Sequence, residues 1–430
     1  MPSYAATLEF LYSQLPMYQR VGPPAMKKGL GNTRALLTYL GDPHKNFLSI
    51  HIAGTNGKGT VSHMLAACYQ AAGMKVGLYT SPHYQDFRER VKINGAMIGK
   101  RDVVRFVERI RPCLEEIKPS FFEITVALAF DAFAREEVDL AIVETGLGGR
   151  LDSTNVLQPL VSVITNISFD HMQMLGETLP AIAREKAGII KPDTPVVIGT
   201  YQPTVADVFH KKAGKCKARL SYADKTLSAV LVSDQWDHQT YAVRTRNEML
   251  FKRLWLGCSG PYQRENLLTA LQTIRVVARE AGIRIPAHAV RAGLRHIRTL
   301  TAYQGRWQVL SERPLVLTDS AHNIDGLRRV LDRLGKEGDR TVHFVLGFVQ
   351  DKDIRKLLEM FPANARYYFA RPDVPRGADS GEVKKIADSL GLAGRAYASV
   401  RRALAAARRA ARPDDLIYVG GSTFVVAEVV

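Results

Sequence analysis

The sequence predicts an α/β protein with two sheets of mainly parallel strands, a larger one followed by a smaller one. Three observations carry the prediction. Apolar strand-like runs alternate with helical patterns from about residue 47 to 200. The first of these runs ends in Gly54-Thr55-Asn56-Gly57-Lys58-Gly59-Thr60 and leads directly into a helical pattern. A second alternating set begins near Gln308.

In chain order, strands are expected at Leu48–Ala53, Val76–Thr80, Leu140–Glu144, Val161–Thr165 and Val196–Gly199. Helices are expected between them at Val103–Ile117 and Glu123–Glu136. Parallel strands covered on both faces read as nearly continuous apolar runs, and these are mainly apolar. Residues 215–258 change character, and the short alternating runs Tyr241–Arg244 and Met249–Leu256 suggest an antiparallel appendage. Helices return at Gln263–Ala281 and Ala287–Leu294. Strands at Pro314–Leu317, Val342–Gly347, Arg366–Ala370 and Leu416–Val419 then alternate with helical stretches. Residues 299–304 are the expected linker, between a first domain over 1–298 and a second over 305–430. A chain of 430 residues is long for one core, which agrees with two domains.

Composition narrows the function classes. Hydrophobic residues make up 46% and charged residues 23%, ordinary for a soluble globular chain. No apolar run is long enough to span a bilayer. The opening MPSYAATLEF lacks the basic flank and apolar core of a signal peptide, so the cytoplasm is the expected location. Cys68, Cys113, Cys216 and Cys258 show neither paired spacing nor a zinc-ligand pattern, and buried reduced thiols are expected. The net charge of +17 suits an enzyme that handles anionic substrates. The arginine run from Arg401 to Arg412 reads as a helix with Leu404, Ala407 and Ala411 inward and its arginines in solvent. With no zinc-finger spacing, aromatic ribonucleoprotein motif or basic tail, neither a nucleic-acid nor a membrane partner is expected.

The stretch Ile52 to Thr60 carries the first chemistry. A strand, a glycine loop and a helix N-terminus together make a phosphate cradle: backbone N–H groups point inward and the helix dipole favours anions. Gly54, Asn56, Gly57 and Gly59 shape the loop, Lys58 neutralises outer phosphates, and Thr60 offers a hydroxyl to magnesium. The spacing departs from the usual phosphate loop, because Ile52 stands where its first glycine would be and Gly59 separates lysine from hydroxyl. Other chemistry should lie at the C-terminal ends of neighbouring strands. Thr80-Ser81-Pro82-His83, Glu144-Thr145-Gly146, Asp170-His171 and Glu185-Lys186 fall at or just beyond such ends. Magnesium wants hard oxygen ligands, which Thr60, Ser81 and Glu144 could supply. Each residue also has a plainer reading by itself. His171 is then a structural or acid–base residue, Lys186 a solvated helix residue, His322 a core histidine and Arg306 a surface charge. Asp351 and Asp353 read as caps of the helix that follows.

Taken together, GTNGKGT, TSPH, ETGLGGRLDSTN, DH followed by LG, and EKAGI resemble the folylpolyglutamate synthase/dihydrofolate synthase family. The likeness continues through Gly305-Arg306-Trp307-Gln308, Asp319-Ser320-Ala321-His322-Asn323, Asp351-Lys352-Asp353 and Gly421-Ser422, so it covers nearly the whole chain. That family comprises ATP-dependent amide ligases related to the Mur ligases. The resemblance implies an N-terminal P-loop ATPase domain with a parallel sheet and a smaller C-terminal Rossmann-like domain. It implies ATP and magnesium, with two ions: Thr60, Ser81 and Glu144 at one and His171 at a second. Lys58, His171 and Lys186 would be catalytic, with Lys186 carbamylated and so converted from a cation to a carboxylate-like group. Asn266, Arg306, Asp319 and His322 match positions that contact ATP. Gly29, Leu30 and Arg34 in the GLGNTR stretch, together with Asp152, match parts of a pterin site.

The implied reaction joins L-glutamate to 7,8-dihydropteroate and to tetrahydrofolate or its polyglutamates through an acyl phosphate, in a monomer. Four departures stand out: Tyr262 where many members have histidine, Ser320 for glycine, Ile324 where a proline often follows, and Thr60 for a common serine, which keeps the hydroxyl. Two other readings are a Mur-type ligase acting on peptidoglycan precursors and a nucleotide-binding protein without ligase activity. Against the former, the 53 residues ahead of Gly54 are too few for a uridine-nucleotide domain.

Overall fold

The structure is a computed structural model that describes residues 2–14, 29–338 and 340–430. The chain divides into two compact units, each with its own sheet and core. The first comprises residues 1–233, 240–257 and 264–303.

Its main sheet has eight strands: β1 (Leu48–Ala53), β2 (Val76–Tyr79), β3 (Val91–Ile93), β4 (Ala96–Met97), β5 (Leu140–Glu144), β6 (Val161–Ile164), β7 (Val196–Ile198) and β8 (Leu220–Tyr222). Their spatial order is β4-β3-β2-β5-β1-β6-β7-β8. Strands β2, β5, β1, β6, β7 and β8 run parallel, while β3 and β4 add an antiparallel edge. Register sets the ends level: Ile52 lies opposite Glu144, Ala53 opposite Ile164, and Tyr79 opposite Val143. The chain leaves central β1 between β5 and β6, where the order of connection reverses. In open parallel sheets that crevice is where ligands bind.

In the helix Lys58–Ala71 every residue from Thr60 to Tyr69 is buried. The helix Ala287–Arg295 packs across it, and Gly293 permits the crossing, since a Cβ there would meet the Ala67 carbonyl oxygen at 2.6 Å. The helix expected over Val103–Ile117 is broken into Lys100–Ile110, a 3-10 turn Arg111–Cys113 and Leu114–Ile117. Pro112 lies in the turn, and its missing N–H and bulky ring interrupt an α-helix. The next helix, Phe121–Arg135, starts two residues earlier than expected. Ser120 and Glu123 cap it reciprocally, with Ser120 N–H donating to Glu123 Oε2 at 2.6 Å and Glu123 N–H to Ser120 Oγ at 3.3 Å. Strands β9 (Leu227–Asp234), β10 (Gln239–Thr245) and β11 (Met249–Leu256) form the separate three-stranded sheet.

The second unit comprises residues 234–239, 258–263 and 304–430. Its sheet contains β12 (Gln308–Glu312), β13 (Leu315–Asp319), β14 (Val342–Leu346), β15 (Arg366–Ala370), β16 (Gly394–Tyr397) and β17 (Leu416–Gly420). The order is β12-β13-β17-β14-β15-β16, parallel throughout except for β12. Two short segments expected with the first domain group here for a physical reason. Trp236 stacks on the buried Trp307 at a centroid distance of 6.1 Å, and Arg333 pairs with Asp234 at 3.1 Å. The helix Ile297–Thr301 runs into the expected linker 299–304, and Thr301 is buried; the boundary of the two units falls between Tyr303 and Gln304. The arginine run forms the helix Val400–Ala410, with Leu404 and Ala407 buried and Arg401, Arg402, Arg408 and Arg409 exposed. All four cysteines are buried and free.

Candidate active site

In the first unit the loop after β1 is strapped to the end of β6. Thr55 N–H donates to the Asn166 carbonyl at 2.9 Å and Asn56 N–H to Asn166 Oδ1 at 3.1 Å. Thr165 Oγ1 donates to the Asn56 carbonyl at 2.6 Å. Gly57 then starts the helix with φ 84°, a conformation that favours glycine. A Cβ at Gly57 would lie 2.2 Å from Asn266 Oδ1, so the Asn266 carboxamide is seated against the loop.

Lys58 folds back over this loop, its Nζ donating to the Gly54 carbonyl at 3.2 Å and the Thr55 carbonyl at 3.4 Å. The same ammonium lies 4.0 Å from Glu144 Oε1 at the end of β5. Glu144 is 4% exposed, and its other oxygen accepts Ser81 N–H at 3.2 Å. Gly59 approaches Glu144 closely, a Cβ there standing 3.5 Å from Oε2. Thr60 is buried, with its hydroxyl 3.0 Å from that of Tyr303. Lys58, Gly59, Ser81 and Glu144 therefore come together at one corner of the sheet, and Thr60 follows one residue on in the same helix turn. One carboxylate with nearby hydroxyls is a hard-oxygen donor set that fits magnesium beside a phosphate loop.

Lys186 ends the helix Leu179–Lys186 and is buried, with Nζ donating to the Gly54 carbonyl at 2.9 Å. Burial, with the Lys58 charge adding to it, lowers its pKa to about 7. Asp170 and Asp152 are near enough to oppose that shift. His171 opens the short helix Met172–Leu175 at φ 51°, its Nε2 3.8 Å from Asp170 Oδ2.

Asp152 is buried and organises its own loop, accepting Leu147 N–H at 2.8 Å, Thr154 N–H at 3.0 Å and Thr154 Oγ1–H at 2.5 Å. Burial pushes its carboxyl pKa up. Thr154 in turn meets the buried His51 Nε2 at 2.7 Å. The helix Gly31–Tyr39, with Leu30 at its cap, packs on the turn Ser153–Val156, so the Gly29–Arg34 stretch lies by the Asp152 loop. Arg34 is exposed there.

In the second unit, Asp319 closes β13 and is buried. It accepts Trp307 N–H and Ala321 N–H, each at 2.8 Å, and the Tyr262 hydroxyl. Ser320 Oγ donates to the Gly305 carbonyl at 2.9 Å, and His322 Nδ1 lies 2.9 Å from the Ser320 carbonyl. These bonds tie the Gly305–Trp307 turn, which carries the half-buried Arg306, to the turn after β13. Asp353 caps the helix Ile354–Leu358, accepting Lys356 N–H at 3.1 Å, as its plainer reading had it. Sequence reasoning passed over Tyr303 and the Asn166 strap. Neither belongs to a recognisable motif, and both act across more than 100 residues, with |i−j| of 243 and 110.

A doubly covered parallel sheet with a phosphate loop at its switch point, joined to a second parallel α/β unit, defines the Mur ligase class. Two family models agree: the Mur ligase middle domain over residues 52–274 and the Mur ligase glutamate ligase domain over residues 305–423. The chain belongs to the folylpolyglutamate synthase/dihydrofolate synthase branch of that family. The folylpolyglutamate synthase of Lacticaseibacillus casei is 31% identical over 411 residues, covering 93% of this chain and 94% of its own. A probable bifunctional folylpolyglutamate synthase/dihydropteroate synthase of Haloferax volcanii is 35% identical over 94% of this chain. This chain spans 48% of that relative's length, about half. Among solved structures, Escherichia coli FolC in complex with DHPP and ADP superposes with a TM-score of 0.86 at 28% identity, covering 100% of this chain and 98% of that one. A bifunctional folylpolyglutamate synthase/dihydrofolate synthase with Mn, AMPPNP and L-glutamate bound superposes at 0.83 and 30% identity, covering 100% and 97%.

Proposed function

We propose that this protein is an ATP-dependent ligase that joins L-glutamate to the carboxylate of dihydropteroate and of reduced folates. The observation that carries the reading is the corner formed by Lys58, Ser81 and Glu144 beside the phosphate loop, in a chain similar over nearly its full length to folylpolyglutamate synthases. In this reading the loop's backbone N–H groups and Lys58 hold the ATP phosphates. Thr60, Ser81 and Glu144 hold magnesium, which neutralises phosphate charge during transfer. The substrate carboxylate takes the γ-phosphoryl, and the glutamate amine then displaces phosphate from the acyl phosphate. The chain positions and neutralises rather than forming a covalent bond of its own. By resemblance, the nucleotide-contacting residues proposed on the first unit include Asn266, and those proposed on the second are Arg306, Asp319 and His322. Gly29, Leu30, Arg34 and Asp152 line the pterin side.

Lys186 carries a carbamate in the same reading, and His171 serves a second metal ion. A buried lysine with a pKa of about 7 is substantially neutral at physiological pH, the form in which its nitrogen attacks carbon dioxide. The neutral amine forms the new N–C bond with carbon dioxide and releases one proton, leaving an anion beside Lys58; counted from the ammonium form, two protons are lost. The decisive experiment follows phosphate release with ATP, magnesium and L-glutamate, with dihydropteroate and tetrahydrofolate run in parallel. Turnover with either supports the reading, and silence with both overturns it.

A further inference from the structure

Tyr303, the last residue of the first unit, has no part in the reading above, yet its hydroxyl lies 3.0 Å from Thr60 Oγ1. We infer that Tyr303 is a positioning residue for the metal: its phenolic oxygen accepts the Thr60 hydroxyl proton and so turns a Thr60 lone pair toward the cation. The inference rests on Thr60 holding metal. A threonine hydroxyl has one proton, and as a metal ligand it must direct that proton away from the ion. An acceptor fixed on the far side does this, as outer partners do for other metal ligands.

The acceptor is held on all sides. Tyr303 is 4% exposed, its ring packs edge-on against His63 at 5.2 Å, and the Arg298 guanidinium lies over it at 5.7 Å. The preceding residues are pinned as well. Thr301 Oγ1 donates to the Ile297 carbonyl at 2.6 Å, so its 2.7 Å contact with His63 Nδ1 requires the ring N–H to be the donor. Lys92, a buried lysine, donates to the Thr301 carbonyl at 3.0 Å and the Ala302 carbonyl at 3.2 Å. Thr60 and His63 sit one turn apart on the phosphate-loop helix, so that helix grips residues 301–303 twice. Tyr303 is thus as well fixed as the loop it serves.

The test is manganese binding to the full chain with a non-hydrolysable ATP analogue, read by electron paramagnetic resonance. Tyr303→Phe keeps the ring and removes the hydroxyl. It should weaken manganese binding about 10-fold, the lower end for lost outer-sphere partners, while metal-free analogue affinity and melting temperature hold. Thr60→Ser should bind manganese as the parent does, and Thr60→Ala should lose at least as much as Tyr303→Phe. Loss in Thr60→Ala with unchanged or tighter binding in Tyr303→Phe overturns the inference and leaves the Thr60 site intact. No loss in Thr60→Ala overturns the metal assignment beneath it. If Tyr303→Phe does not fold, Tyr303→Trp, which also keeps an aromatic ring without the hydroxyl, decides the same question.

Discussion

The Lys186 ammonium nitrogen donates a 2.9 Å hydrogen bond to the carbonyl of Gly54, a residue 132 positions away that opens the phosphate loop. The buried amine is thereby placed against the loop that already carries Lys58. Burial is the main reason its pKa falls to about 7, and the nearby Lys58 charge adds to the fall.

Activity should therefore depend on carbon dioxide. The reactive fraction of Lys186 grows as pH rises through about 7. Phosphate release should be faster in bicarbonate-supplemented buffer than in carbon dioxide-depleted buffer, and should climb with pH in the former. Lys186→Met should lower turnover about 100-fold and lose the carbon dioxide response. Equal rates in both buffers would remove the carbamate from the reading.

Lys58→Met tests the phosphate contact and the coupling together. In the proposed reading Lys58 is a donor to the ATP phosphates, and its loss should lower kcat/KM for ATP by about 10²–10³-fold. It also removes the charge that helps depress Lys186, so the Lys186 pKa should rise. Amine-reactive labelling of Lys186 against pH would show that shift, and an unmoved profile would contradict the proximity.

Gly57→Ala should damage both stability and nucleotide binding. The left-handed conformation at φ 84° costs a non-glycine residue about 1–2 kcal/mol. The new methyl would also press on Asn266 Oδ1 from 2.2 Å, adding about 1–3 kcal/mol of overpacking. A second change, Asn266→Ala, should recover the second part of the loss in a thermal melt and leave the first.

Acid should destabilise the fold through His51. Full burial lowers its pKa from 6.5 to about 3, so the unfolded chain binds more protons between those values. Stability then rises with pH across that window: it is undiminished by this group above 6.5 and falls steadily as pH drops toward 3. The slope from one such group approaches about 1.4 kcal/mol per pH unit. Urea unfolding of His51→Gln should show a shallower acid limb, and an unchanged limb would place the proton uptake elsewhere.

Much of the scaffold was legible because its signals are local. Leu48–Ala53, Leu140–Glu144 and Arg366–Ala370 are mainly apolar runs, and the structure has strands with those bounds. The weak elements are the edges. Strands β8 (Leu-Ser-Tyr) and β16 (Gly-Arg-Ala-Tyr) are short and half-exposed, so no apolar run marks them. The reciprocal cap of Ser120 and Glu123 was visible as a serine followed three residues later by glutamate, and it explains the early helix start.

By itself the sequence determined the alternation of the central strands with their helices, the phosphate loop and the motifs that resemble one ligase family. All of these are written in residue type and short-range spacing. Only the tertiary structure decided that Lys186 rests on Gly54, that Asn266 presses on Gly57 and that Tyr303 faces Thr60. It also decided which titratable groups lose their water. Desolvation depends on what packs around a side chain from every direction, and in this fold those neighbours come from segments more than 100 residues apart, as the separations of 132 and 243 show.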